Sequence, residues 1–84
     1  MYRFEPSKAF SKSLRKLSKI EQNAVAVKLK VLSKNPFHPS LRTKKVQRLD
    51  NVFECSVNMS IRILWMYKKD TIILLMDVGH HDIL

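Results

Sequence analysis

The sequence predicts an α+β fold in which two helices cover one face of a small, mainly antiparallel sheet, in the order β-α-α-β-β-β-β. Three observations predict it. Apolar residues recur at helical spacing between residues 8 and 33, the period changes to two in the C-terminal half, and Asn35-Pro36 divides the two regimes. The 84 residues are expected to form one domain, 1–84, with a thin core.

Tyr2–Glu5 is short and aromatic and reads as a first strand, closed by Pro6-Ser7. From Lys8 onward Phe10, Leu14 and Leu17 recur at i, i+4, i+7. Lys8, Lys12, Arg15, Lys16 and Lys19 gather on the opposite side, so the helix is amphipathic with a basic face. A second helix is expected over 21–33. Ile20, Ala24, Val27 and Val31 form one apolar stripe and Val25, Leu29 and Leu32 another, which predicts packing on two neighbours, the first helix and the sheet. The residue before a proline is driven out of the helical region, so Asn35-Pro36 ends this helix and 35–40 is a loop.

Lys45 to Leu49 is a possible strand, with a turn at Asp50-Asn51. Between Val52 and Val57 the chain alternates: Phe53, Cys55 and Val57 face one way, Glu54 and Ser56 the other. Asn58-Met59-Ser60 is a hairpin connection to a strong β run, Ile61 to Tyr67. Lys68-Lys69-Asp70 makes a polar turn, and Thr71 to Val78 is the nearly continuous hydrophobe of a strand covered on both faces.

Sixteen Lys and Arg against seven Asp and Glu give a net charge of +9. Such an excess favours a polyanionic partner, nucleic acid first, although an acidic protein would satisfy the same charge. A single glycine excludes a Gly-rich phosphate cradle, and the one cysteine, Cys55, excludes an internal disulfide and reads as a small buried hydrophobe. The start Met1-Tyr2-Arg3-Phe4-Glu5 lacks the apolar run of a signal peptide. No stretch approaches the roughly 18 apolar residues of a membrane span, so a cytoplasmic location without membrane contact is expected.

Two places stand out chemically. Alternation sets Arg62, Leu64 and Met66 on one strand face and Ile61, Ile63, Trp65 and Tyr67 on the other, so Arg62 shares its side with Glu54 and Ser56. An arginine in so apolar a run needs a carboxylate or binds one from outside, as it would a phosphate; an ion pair with Glu54 is the simpler outcome. Directly after the last strand comes Gly79-His80-His81-Asp82. Histidine suits proton transfer near neutral pH, yet two histidines near a chain end are as often merely exposed. They are half of a metal site at most. No cysteine stands near and His38 is distant in sequence, so neither metal nor other cofactor is expected.

Taken together, these features resemble the RelE/ParE superfamily of type II toxin–antitoxin toxins. The resemblance spans the whole chain: the basic helix pair, the Asn35-Pro36 break, and Leu49 followed by Phe53. Ser60-Ile61-Arg62-Ile63-Leu64-Trp65 is similar to the family's "xxRIIY" strand, and Gly79-His80-His81-Asp82-Ile83-Leu84 is similar to the "GxHxxLF" close of the YafQ-like branch. The resemblance implies a ribosome-associated mRNA endoribonuclease held inactive by an acidic antitoxin, with Arg62 as phosphate ligand and His81 as proton-transfer residue. Glu54 is a second proton-transfer candidate. Arg42, Lys44, Lys45 and Arg48 are candidates to hold RNA phosphates or acidic parts of the antitoxin. The chain departs from the pattern at Asp77, where many YafQ-like toxins have Arg. It departs again at Ser56, where that branch has His, and at Glu54 and Ser56 where RelE-like toxins have lysines. The alternatives are a ParE-like inhibitor of DNA gyrase with no chemistry of its own and a basic nucleic-acid-binding module. The terminal His81 favours cleavage.

Overall fold

The computed structural model describes residues 1–81. Its elements run in chain order as β1 (Arg3–Pro6), α1 (Lys8–Lys16), α2 (Lys19–Lys34), a 3₁₀ turn (Pro39–Leu41), β2 (Lys44–Lys45), β3 (Phe53–Ser56), β4 (Ile61–Lys69) and β5 (Ile72–His80). The strands form one sheet in the order β1-β5-β4-β3-β2, in which only the β1–β5 pairing is parallel. The expected order of elements and the α+β class stand.

Each helix begins on a serine whose side chain satisfies a backbone N–H that the helix leaves open. Ser7 Oγ accepts from Phe10 N at 3.0 Å and donates to Met76 O at 2.8 Å, which ties the start of α1 to β5. Ser18 caps α2 in a reciprocal box: Ser18 Oγ accepts from Glu21 N at 3.1 Å while Glu21 Oε1 accepts from Ser18 N at 2.8 Å. The helix therefore starts two residues earlier than its apolar period suggests, and it ends at Asn35, next to Pro36, as expected.

The core lies between the helices and one sheet face. Phe10, Val25 and Leu32 meet Cys55, Val57, Ile61, Ile63, Trp65, Ile73, Leu75 and Val78 there. Trp65 is fully buried and stacks on Phe53, with ring centroids 4.8 Å apart. The stripe Val25, Leu29, Leu32 packs as predicted. The second stripe does not. Ala24 and Val31 are half-buried, but Ile20 is 82% exposed and Val27 60% exposed. A helix lying on a sheet has only one covered side, and that side takes the other stripe.

The far face of the sheet carries a smaller cluster of Val46, Val52 and Leu64, with Met76 against it. The expected strand over 45–49 is a correction: pairing stops after Lys45, and 47–51 is a turn with Asn51 at φ 61°. Asparagine tolerates that left-handed conformation.

One irregularity decides which side chains face which way. Leu64 pairs with Asp77 but Trp65 pairs with Leu75, so Met76 is an extra residue in β5. Before this bulge Ile73 and Leu75 face the helices; after it Val78 and His80 do. Asp77 and Gly79 are thereby on the far face, the side of Arg62.

Candidate functional site

Arg62 sits near the start of β4, between Ser56 of β3 and Gly79 of β5, its register partners. Gly79 has no side chain to fill the space beside it. The Arg62 side chain turns toward the β3–β4 hairpin, where Nη1 donates to Asn58 O at 2.7 Å and to Ile61 O at 3.2 Å. The hairpin is in turn fixed by Asn58 Oδ1, which accepts from Ser60 N at 2.8 Å and Ile61 N at 2.9 Å.

The ion pair with Glu54 that the sequence allowed does not form. Glu54 pairs by register with Leu64, diagonal to Arg62, and its Oε1 lies 3.5 Å from Lys44 Nζ. Across that diagonal side chains stand roughly 7–8 Å apart at their roots, and each bonds elsewhere. Among the described residues Arg62 meets no carboxylate, and its guanidinium has five donors with only backbone carbonyls to take them.

Arg62 instead lines an open cleft of about 290 Å³ between the hairpin and the 3₁₀ turn, together with Lys28 and Arg42. Lys28 reaches it from α2, its Nζ donating to Ser40 O at 3.4 Å. Arg42 reaches it from the end of the 3₁₀ turn, held in a left-handed conformation at φ 49° and ψ 42°. Sequence reading named Arg42 but not Lys28. A lysine on a helix looks solvated, and only the tertiary fold brings it to a strand 34 positions away in the chain (28 to 62).

The four residues proposed to bind RNA thus fall into two groups. Arg42 belongs with Arg62, while Lys44, Lys45 and Arg48 line a separate recess of about 290 Å³ that also contains Glu54.

The two histidines part company. His80 is the register partner of Ile61 and faces the helices, its Nε2 3.8 Å from Glu21 Oε2. Glu21 is held below the usual carboxylate range chiefly by the Ser18 backbone bond, with His80 a smaller contribution. His81 follows β5 as an exposed turn residue, two positions after Gly79, the register partner of Arg62. The rest of the terminal motif, Asp82 to Leu84, lies outside the described residues.

Cys55 lies beneath this site, fully buried. Burial pushes its thiol up to about 12, reinforced by Glu54 and opposed by Lys28, Trp65 and Arg62. It is no nucleophile at neutral pH. Among the described residues, no group of three or more His, Cys, Asp or Glu is placed to hold a metal ion.

No protein-family model matches the sequence, and no curated protein is significantly similar to it. Solved structures are similar over nearly the whole chain. The toxin of the Escherichia coli DinJ-YafQ toxin–antitoxin complex superposes with a TM-score of 0.80 at 16% identity, covering 99% of this chain and 96% of that one. The archaeal RelE-RelB complex from Pyrococcus horikoshii gives 0.77 at 16% identity, with 99% and 98% covered. The chain has the RelE fold. A metal-bound toxin from Helicobacter pylori shares the RelE fold too, at a TM-score of 0.79, 22% identity, and coverage of 100% and 99%. Identities this low describe the path of the backbone; the RelE fold says nothing of which side chains act.

Proposed function

We propose that the chain is the toxin of a type II toxin–antitoxin pair and cleaves messenger RNA on the ribosome. The observation that carries this reading is Arg62: a guanidinium with no carboxylate partner among the described residues, in a cleft lined by two further cations, beside the strand end that leads to His81. The RelE fold supports it, since structures sharing that fold are described as toxins or as toxin–antitoxin complexes.

The chemistry asks little of the protein. The 2′-oxygen of the RNA forms a bond to the adjacent phosphorus, the bond to the 5′-oxygen breaks, the 2′-hydroxyl loses a proton and the 5′-oxygen gains one. Arg62 stabilises the charge that develops on the phosphoryl oxygens, and its planar fork suits them. His81 is the proton-transfer residue, exposed where a strand of RNA can reach it. Glu54 opens on the recess of Lys44, outside the Arg62 cleft, and this reading leaves it out of the reaction. Lys44, Lys45 and Arg48 remain a secondary surface for phosphates or for the acidic antitoxin.

The test is to add purified protein to a translation reaction and, separately, to a gyrase supercoiling reaction. Message cleavage at discrete sites, appearing only when ribosomes are present, is the expected result. Unimpaired translation with loss of supercoiling would replace this reading by gyrase inhibition.

A further inference from the structure

We propose that Lys28 and Arg42 form a second phosphate subsite, so that the cleft grips the linkage next to the one held by Arg62. This rests on the RNA-cleaving reading above and extends it to how the strand is held.

Lys28, Arg42 and Arg62 come from three separate elements and converge on one cleft, and no carboxylate is among the described residues that line it. None of the three is in an ion pair among the described residues. Bringing like charges together is unfavourable until an anion arrives. The neighbouring recess behaves differently, since Glu54 there partly neutralises Lys44.

The lysine is placed rather than dangling. Its bond to Ser40 O, at 3.4 Å, uses one of three ammonium donors, leaving the others for a ligand. The same bond links it to the turn that ends in Arg42. That arginine holds a left-handed backbone, a conformation unfavourable for a non-glycine residue. The turn is kept in shape by Thr43 Oγ1 donating to Pro36 O at 2.6 Å and by Ser40 N donating to His38 Nδ1 at 3.1 Å.

The lining also says what is read. Among the described residues it contains no aromatic side chain on which a base would stack, but the cations, small polar groups and the apolar Val57 and Met59. Such a site recognises the sugar–phosphate backbone and not the base.

The experiment uses a short RNA with a 2′-deoxy sugar at the cleavage position, so that it binds without being cut. Fluorescence anisotropy over a series of KCl concentrations compares the wild type with Lys28→Gln, Arg42→Gln and Lys28→Arg. Each glutamine variant is expected to weaken binding about tenfold and to reduce the slope of log affinity against log salt by about 0.7. Lys28→Arg is expected to bind like the wild type. A neutral methylphosphonate linkage on one side of the deoxy sugar should abolish the difference between the wild type and Lys28→Gln. A defect that survives neutral linkages on both sides would mean that Lys28 only braces the turn, and would overturn the subsite. Wild-type affinity in both glutamine variants would overturn it as well, while leaving RNA binding itself intact. No binding of this RNA by the wild type would overturn the subsite, whereas the ribosome-dependent reading stands or falls on message cleavage in the translation reaction.

Discussion

His80 and His81 are neighbours in sequence with different surroundings, one beside Glu21 on the helix side and the other exposed in the turn that follows β5. The bulge at Met76 sets the facing of Asp77 to His80, and nothing in the apolar run Ile72–Met76 announces it. Glu54 differs: alternation puts it on the face of Arg62, but its ion pair with Lys44 depends on the pairing of β2 with β3. Glu54→Gln is therefore expected to leave ribosome-dependent cleavage within about threefold of the wild type, well short of the roughly 10²–10⁴-fold worth of general acid–base catalysis. A loss of that larger size in message cleavage would return Glu54 to the reaction. Cys55 yields a prediction with a definite sign. Its thiol is held up to about 12 against an ordinary 9.0, so the folded state keeps a proton that the unfolded state releases at alkaline pH. The stabilisation is fully present below the ordinary value and is lost as pH rises toward the folded one, by at most about 1.4 kcal/mol per pH unit. Urea denaturation of the wild type and Cys55→Ala should show the wild type's advantage shrinking between about pH 8 and about pH 11. A constant difference would mean that the thiol is not shielded from water.

Among the elements, those that follow from periodicity alone were legible. α1 and α2, the β3–β4 hairpin and β5 fall close to their expected places, because burial against a sheet imposes a spacing that the sequence displays directly. Features set by hydrogen bonds or by partners were not. The box of Ser18 and Glu21 extends α2 at its start, and β2 shrinks to two residues because β3 is short and the chain turns at 47–51. Ile20 and Val27 matched a helical stripe but face away from the core, since periodicity tells that residues share a face and not whether the face is covered. The site divides likewise. Arg62 and Arg42 could be singled out in the sequence, whereas the convergence of Lys28 with them belongs to the tertiary fold. The capping box predicts a cost: Ser18→Ala should lower unfolding stability by about 1 kcal/mol, read as a shift of the urea midpoint with an unchanged slope. Glu21→Gln should cost less, since glutamine serves in the same box. Equal losses in the two variants would shift the emphasis to the Glu21–His80 pair.

At the scale of the whole molecule, a charge of +9 on 84 residues organises what can approach it. No described helix is long and apolar enough to cross a membrane. An acidic antitoxin would be drawn in by complementary potential, so its association rate should fall at least about tenfold from low to physiological ionic strength, as steered encounters do. Stopped-flow mixing with the purified partner measures this, and a rate indifferent to salt would mean that apolar contacts alone guide the encounter. The central claim is narrower: Arg62 and His81 together cut RNA. It is tested most directly by mapping 5′ ends on ribosome-bound message after induction of the wild type, His81→Ala, Arg62→Ala and His80→Ala, with each protein's folding checked by its thermal transition. The account predicts a loss of roughly 10²–10⁴-fold for folded His81→Ala, a comparable loss for Arg62→Ala, and near-normal cleavage for His80→Ala. Full cleavage by a stably folded His81→Ala protein would contradict it.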